Sequence, residues 1–441
     1  MSVLTARAVR ERTGPEVYGA AKAAGILTVA GLATGASNLV FNIIVARASG
    51  AERYGGIGTL LSLVTVASYL AIGTGYAVAR RTAIHGWNPR FVLGGSARRM
   101  VPWFVCLVPV LIAVGPISEF LHLPSRLPAV IALGTVLTML TGSLATGVLI
   151  GCRRFRLVAG LNIGSALTRV LLGAVLPKLF DATDAALLAT LIPVAIVCVG
   201  AILLVLRISG SKHTQPERSE PSLRGDVGKG LPRDSLAGAL GSMALWAVWA
   251  APLVVARHDL ATADSGRFAA AQVLASAVLF IVAPVTMAFF PTISKHRDGN
   301  AVIVGMLISA SLALLGAAVL GLLGPVFMTH LYGAQFSTSS ALFLEFGLSA
   351  TSVAMATFAL WATRARYGRT SRVTVIALAA LALECAAGAV FHPGVGALAA
   401  APFGALLVVT TLAVLVAAIR EGGVPAVARR MIGARAASID G

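Results

Sequence analysis

Residues 43–64 read IIVARASGAERYGGIGTLLSLV. Two apolar runs meet there across a short insert that carries Arg47, Glu52, Arg53 and the step Tyr54-Gly55-Gly56. The flanks decide what this joint is. The run before it reaches back to residue 23 and the run after it continues to residue 79, and about 20 apolar residues are enough to span the hydrocarbon of a bilayer. A soluble hairpin has no use for flanks of that length. The pattern Val45-Ala46-Arg47-Ala48-Ser49 has the small-x-small look of a signal-peptidase site, but the preceding run is longer than a signal core and holds Asn38 and Asn42, so no cleavage is expected there. The joint is therefore read as the turn between two transmembrane helices.

The rest of the chain follows the same plan. Of its 441 residues 57% are apolar and 12% charged, against about 25% charged in a soluble domain. Apolar runs of spanning length fall at 23–46, 56–79, 101–121, 127–151, 155–178, 185–206, 234–257, 267–291, 301–327, 337–362, 372–391 and 395–419. Backbone groups in hydrocarbon must be satisfied within their own segment, so each run is expected to be a helix. The net charge of +18 would suggest nucleic-acid binding in a soluble protein. Here the cations lie between the runs, without the interleaved aromatics on which bases stack, and no nucleic-acid partner is expected. With the N-terminus cytoplasmic, 28 of the 35 Lys and Arg residues fall on the inner side, six on outer turns, and Arg169 alone within a span. That bias is the positive-inside pattern. The expected fold is an all-α polytopic membrane protein of about 12 transmembrane helices in two six-helix bundles, with both termini cytoplasmic.

Residues 207–233, rich in Ser, Pro, Gly and alternating charge, read as a cytoplasmic linker between an N-terminal bundle, 1–206, and a C-terminal bundle, 234–419. The basic tail 420–441 can lie against membrane lipids. Ala46-Arg47 ends the first span and Ala256-Arg257 the seventh, an offset of 210; Arg153 and Arg364, after the fourth and tenth spans, lie 211 apart. Agreement at two places points to a six-plus-six repeat.

Motifs for nucleotide binding, zinc hydrolysis or a serine nucleophile are missing, and no loop is large enough to fold a soluble active site, so no enzyme, cofactor or metal is expected. The four cysteines show no CxxC spacing. Arg169, Glu345 and Glu384 are the ionisable residues clear of span ends, where a charge costs about 2.5 to 3.5 kcal/mol. They are expected at similar depth, Glu345 about 12 Å from the end of its span. Two readings stand: a gating ion pair or proton-coupling site in which Glu345 and Glu384 face Arg169, or a structural salt bridge. Asn38 and Asn42, four apart, share a helix face and can line a polar cavity with Asn162 and Gln272, or can bond between helices. Arg80-Arg81 can receive a pyrophosphate or can serve as topology determinants. Pro109, Pro193, Pro284 and Pro291 allow bending within spans.

Residues 43–83 resemble the start of the polysaccharide-transporter, O-antigen flippase-like branch of the multidrug/oligosaccharidyl-lipid/polysaccharide (MOP) exporter superfamily. Ala46-Arg47, Ser49-Gly50, Tyr54-Gly55, and Gly73 or Gly75 with Arg80-Arg81 carry the likeness. Residues 265–295 are similar to that family's eighth helix, with Gly266, Phe268, Ala271 and Pro291. The resemblance implies a flippase that moves an undecaprenyl-pyrophosphate-linked oligosaccharide or similar lipid-linked glycan across the bacterial cytoplasmic membrane by alternating access. Glycosyltransferases and a polymerase of the same pathway would be its partners. That family uses a cationic central cavity, and in this chain pyrophosphate binding would draw on Arg47, Arg80, Arg81, Arg169 and Arg257. A drug or small-molecule antiporter of the same superfamily and a non-transporting scaffold of envelope biogenesis are the alternatives.

Overall fold

A computed structural model describes residues 3–85, 89–90, 92–95, 97–98, 109, 111–210, 233–296, 299–367, 371–391 and 394–406. Helix α1 takes in Val3–His85, yet it is not one rod. Gly50 has φ +72°, and the Tyr54 hydroxyl donates to Asn42 Oδ1 at 2.9 Å. In an unbroken helix those two residues would stand about 18 Å apart along the axis, beyond the reach of both side chains. The chain therefore reverses at Gly50, and residues 3–49 and 51–85 form two arms that run back along each other. Glycine suits the left-handed turn because it has no Cβ to clash.

The remaining helices are α2 (Val114–Phe120), α3 (Leu127–Gly151), α4 (Phe155–Val175), α5 (Ala182–Gly210) and α6 (Arg233–Asp259). They are followed by α7 (Thr262–Ala275), α8 (Ala277–His296), α9 (Gly299–Phe327), α10 (Ser340–Tyr367), α11 (Ser371–Phe391) and a further apolar helix, Val395–Leu406. A π turn, Met328–Tyr332, and a short 3-10 turn connect α9 to α10. No strand occurs among the described residues.

Among the described residues eight helical stretches are long and apolar enough to cross a membrane, and one of them, Val29–Ala79, is the stretch folded double at Gly50. On α9 the side chains of Leu307, Leu315 and Leu322 are 62%, 62% and 79% exposed. So large an apolar face is stable only against lipid, and the chain is a multi-pass membrane protein. The first part of the expected third span, 101–108 with 110, and the end of the twelfth, 407–419, lie outside the described residues, as do 211–232 of the linker and the tail 420–441.

By chain order the helices fall into a first group, α1–α5, and a second, α6–α11. The arms of α1 pack with α3, α4 and α5, while α10 packs with α8 and α9 and α11 packs on α6. The groups meet where α1 lies against α6 and α7. Small residues make that seam. A Cβ on Gly55 would stand 2.3 Å from Ser265 Oγ, one on Gly58 2.9 Å from Ala269 Cβ, and one on Gly73 2.1 Å from Ala239 Cβ. One on Gly266 would stand 1.7 Å from the Ala51 carbonyl oxygen. Lipid supplies no hydrophobic drive between helices, so close backbone approach through small residues is what holds such a seam.

Candidate functional site

The polar residues singled out on the first arm of α1 converge with the lone midspan arginine. Arg169 of α4 donates from Nη1 to Asn38 Oδ1 at 2.8 Å, and its guanidinium carbon lies 4.1 Å from the centroid of the Phe41 ring. Asn42 Nδ2 donates to the Asn38 carbonyl at 2.8 Å. Its Oδ1 accepts from Tyr54 of the second arm. The result is a chain Arg169, Asn38, Asn42, Tyr54 that ties α4 to both arms of α1. Gly173, one turn beyond Arg169, leaves room for Phe41: a Cβ there would stand 2.7 Å from the ring. Beyond Tyr54 the path is closed by aromatic rings, with Phe336 edge-on to Tyr54 at 6.0 Å between centroids and Tyr332 against Phe336 at 5.7 Å.

Exposure falls along one face of each of these helices. On the first arm Thr34 is exposed, Asn38 half-buried, and Phe41, Asn42 and Val45 buried, all on one face. On α4 the stripe Asn162, Ala166, Arg169, Gly173 begins with an exposed Asn162 and ends with a buried Gly173. The opposite face of α4 carries Leu157, Leu167, Leu171 and Val175, exposed as lipid requires. Asn162 is therefore exposed on the side of α4 that turns toward α1, with Ala166 buried and Arg169 half-buried further along it; the space beside that side, next to Asn38 and Phe41, is called the vestibule. Beside Asn38, between α1 and α7–α8, lies a cleft of about 200 Å³ lined by Gly35, Val273, Ala277 and Phe280.

The other candidates lie elsewhere. Arg47 and Arg257 are at the Gly50 rim, and each bonds backbone carbonyls of the opposite helix group. Arg47 donates to the Leu331 and His330 carbonyls at 2.6 and 2.5 Å, and Arg257 to those of Leu121 and His122 at 2.9 Å each. Arg257 is buried, unlike a cation resting on a membrane face. Glu345 sits in the second turn of α10, roughly 7.5 Å from its start and shallower than the expected 12 Å. It lines a rim cleft of about 300 Å³ with Asp264, Arg267, Thr338 and Gly396. Glu384 is buried in α11, 5% exposed, and neither carboxylate oxygen has a hydrogen-bond partner among the described residues. Arg169 bonds an amide and no carboxylate among the described residues, so the three midspan charges form no ion-pair triad. Gln272 does not reach the vestibule; its side chain donates to the Trp249 carbonyl. The side chains of Arg80 and Arg81 lie outside the described residues. No group of three or more His, Cys, Asp or Glu able to hold a metal occurs among the described residues.

The arrangement of membrane-spanning helices resembles the fold of solved MOP superfamily transporters. An inward-facing multidrug resistance MATE family transporter superposes with a TM-score of 0.65 at 13% identity, over 86% of this chain and 93% of that one. A MOP superfamily transporter from Pyrococcus furiosus, described as having a binding pocket of reverse polarity, gives 0.57 at 12%, over 89% and 94%. The lipid II flippase MurJ in an inward closed conformation gives 0.57 at 13%, over 88% and 86%. Multidrug transporters and a lipid flippase both superpose on the chain, so the likeness shows the fold and does not single out a branch. No protein-family model matches the sequence, and no curated protein matches it.

Proposed function

We propose that this protein is a flippase or exporter that carries a lipid-linked oligosaccharide or polysaccharide precursor across the bacterial cytoplasmic membrane by alternating access. In this reading twelve spans form two six-helix bundles, 1–206 and 234–419, joined by the linker 207–233 with both termini inside. The vestibule then opens to the cytoplasm. The observation that carries the reading is Arg169 at the vestibule. It is a partly exposed guanidinium with one amino group held by Asn38. Its exposed edge can pair with a phosphate oxygen, since guanidinium binds phosphate through a planar fork. Asn38, Asn42 and Asn162 supply amides for hydroxyl-bearing groups, and neither residues 29–49 nor α4 contains a carboxylate to attract a cationic drug. Arg80 and Arg81 would meet the headgroup on entry.

A second reading has one observation in its favour. The unpartnered, buried carboxyl of Glu384 suits a proton- or cation-coupled antiporter for small molecules, because an ionised carboxylate without a partner is strongly disfavoured there. Glu345, with its buried Oε2 also unpartnered, would gate the rim. Deleting the gene separates the readings. Build-up of a lipid-linked glycan on the inner leaflet supports the flippase, and drug sensitivity with normal glycan export supports the antiporter.

A further inference from the structure

The two rim arginines do more than bond to carbonyls. Arg47 and Arg257 lie 210 residues apart, and so do the leucines whose carbonyls accept from their Nε atoms, Leu121 and Leu331. Each Nη2 in turn donates to a histidine carbonyl, His330 for Arg47 and His122 for Arg257. Both receiving segments end at a residue of positive φ. His122 takes φ +49° and closes α2 with its own N–H on the Glu119 carbonyl and that of Leu123 on Ser118. Gly333, 211 residues further on, takes φ +110° and closes the π turn with its N–H on the Met328 carbonyl. In both places the last carbonyls of a helix are left without intrahelical donors, and a cation at a helix C-terminus is favourable. The direction is crossed: Arg47 of the first group grips the second, and Arg257 of the second grips the first. Between them runs the tightest part of the seam, Ala51 and Gly55 against Ser265 and Gly266, and Arg257 Nη1 also reaches Ser265 Oγ at 3.3 Å.

From this we infer that Arg47 and Arg257 form a reciprocal, two-fold latch that holds the Gly50 rim shut, and that opening at this end requires both to let go. Two neighbouring cations are built differently. Arg53 pairs with Asp181 and Arg267 with Asp264 and the Gln335 carbonyl, each within its own helix group, so neither bears on opening. The latch is a property of the fold and does not depend on the cargo proposed above.

The test places a cysteine at Ala269, which is fully buried on the seam against Gly58, and measures its reaction with a membrane-impermeant maleimide in the full-length protein. Arg47→Ala and Arg257→Ala should each raise the labelling rate about tenfold, as expected when a charge-assisted bond to carbonyl is lost, and the double variant should raise it by about the product. Arg53→Ala and Arg267→Ala should leave the rate at the parent value. The native Cys198, buried against Gly142 within the first group, must stay unreactive, which distinguishes opening from unfolding. Should an alanine variant unfold, Arg47→Lys and Arg257→Lys decide the matter, since each keeps the charge but loses the two-carbonyl fork and should still raise labelling. Equal protection in parent and latch variants, or equal labelling after Arg53→Ala, overturns the inference. Labelling needs no cargo, so its failure leaves the transport reading standing, and loss of glycan export in a latch variant with normal labelling would not rescue it.

Discussion

Replacing Tyr54 with Phe removes one oxygen and keeps a fully buried ring whose edge contact with Phe336 is unchanged. What disappears is the 2.9 Å bond to Asn42 Oδ1, leaving an acceptor on a residue that is 3% exposed. A buried acceptor left unmet destabilises by about 1 to 3 kcal/mol in water-soluble proteins. Side-chain bonds within membrane bundles average about 0.6 and reach about 1.7 kcal/mol, because the unfolded chain in lipid also finds partners. Asn42 is enclosed by protein, so a coupling of about 1 kcal/mol is expected. The assay is a double-mutant cycle of Tyr54→Phe and Asn42→Leu, read by reversible unfolding of the purified protein in mixed micelles. Asn42→Leu also loses its bond to the Asn38 carbonyl, but the cycle cancels that shared term. Additive single effects would refute the bond. Coupling would also support the reversal at Gly50, since residues twelve apart can couple only if the chain folds back between them.

Gly266→Ala places a Cβ 1.7 Å from the Ala51 carbonyl oxygen, a clash with backbone that no rotamer relieves, and should lower stability by about 3 kcal/mol in the same unfolding assay. Gly50→Ala puts a side chain at φ +72° and should destabilise by about 1 to 2 kcal/mol in that assay. Glu384→Gln replaces a buried, unpartnered carboxyl by a neutral isostere. Thermal unfolding should show stability unchanged or higher, and a large loss would mean that the carboxylate is ionised and paired.

The helices were legible because length and hydropathy leave a chain in lipid few options, and the pairing of Asn38 with Asn42 followed from their spacing of four. Arg169 announced itself as a charge clear of span ends. Its partners did not, because Asn38 lies 131 residues away and the Phe41 ring offers no polar signal. Tyr54 was visible as part of the turn, but its role depends on a reversal that places it beside Asn42. The offset of 210 between Arg47 and Arg257 suggested a repeat. That each would cross to the other helix group was hidden, because their acceptors are main-chain carbonyls, which every residue possesses. Arg257 looked like a face cation for the same reason. Glu345 was expected deeper because hydropathy carries the tenth span back to residue 337, whereas α10 starts at Ser340.

The account turns on Arg169 as the anion-binding group of the vestibule. Its most direct test is protein-dependent flipping of an undecaprenyl-pyrophosphate-linked oligosaccharide in proteoliposomes, comparing the parent with Arg169→Ala and Arg169→Lys. The parent should flip well above empty liposomes, Arg169→Ala should lose about tenfold or more, as removal of a charge-assisted phosphate contact implies, and Arg169→Lys should retain part of the rate. Flipping by Arg169→Ala at the parental rate, or a parent no faster than empty liposomes, would contradict it.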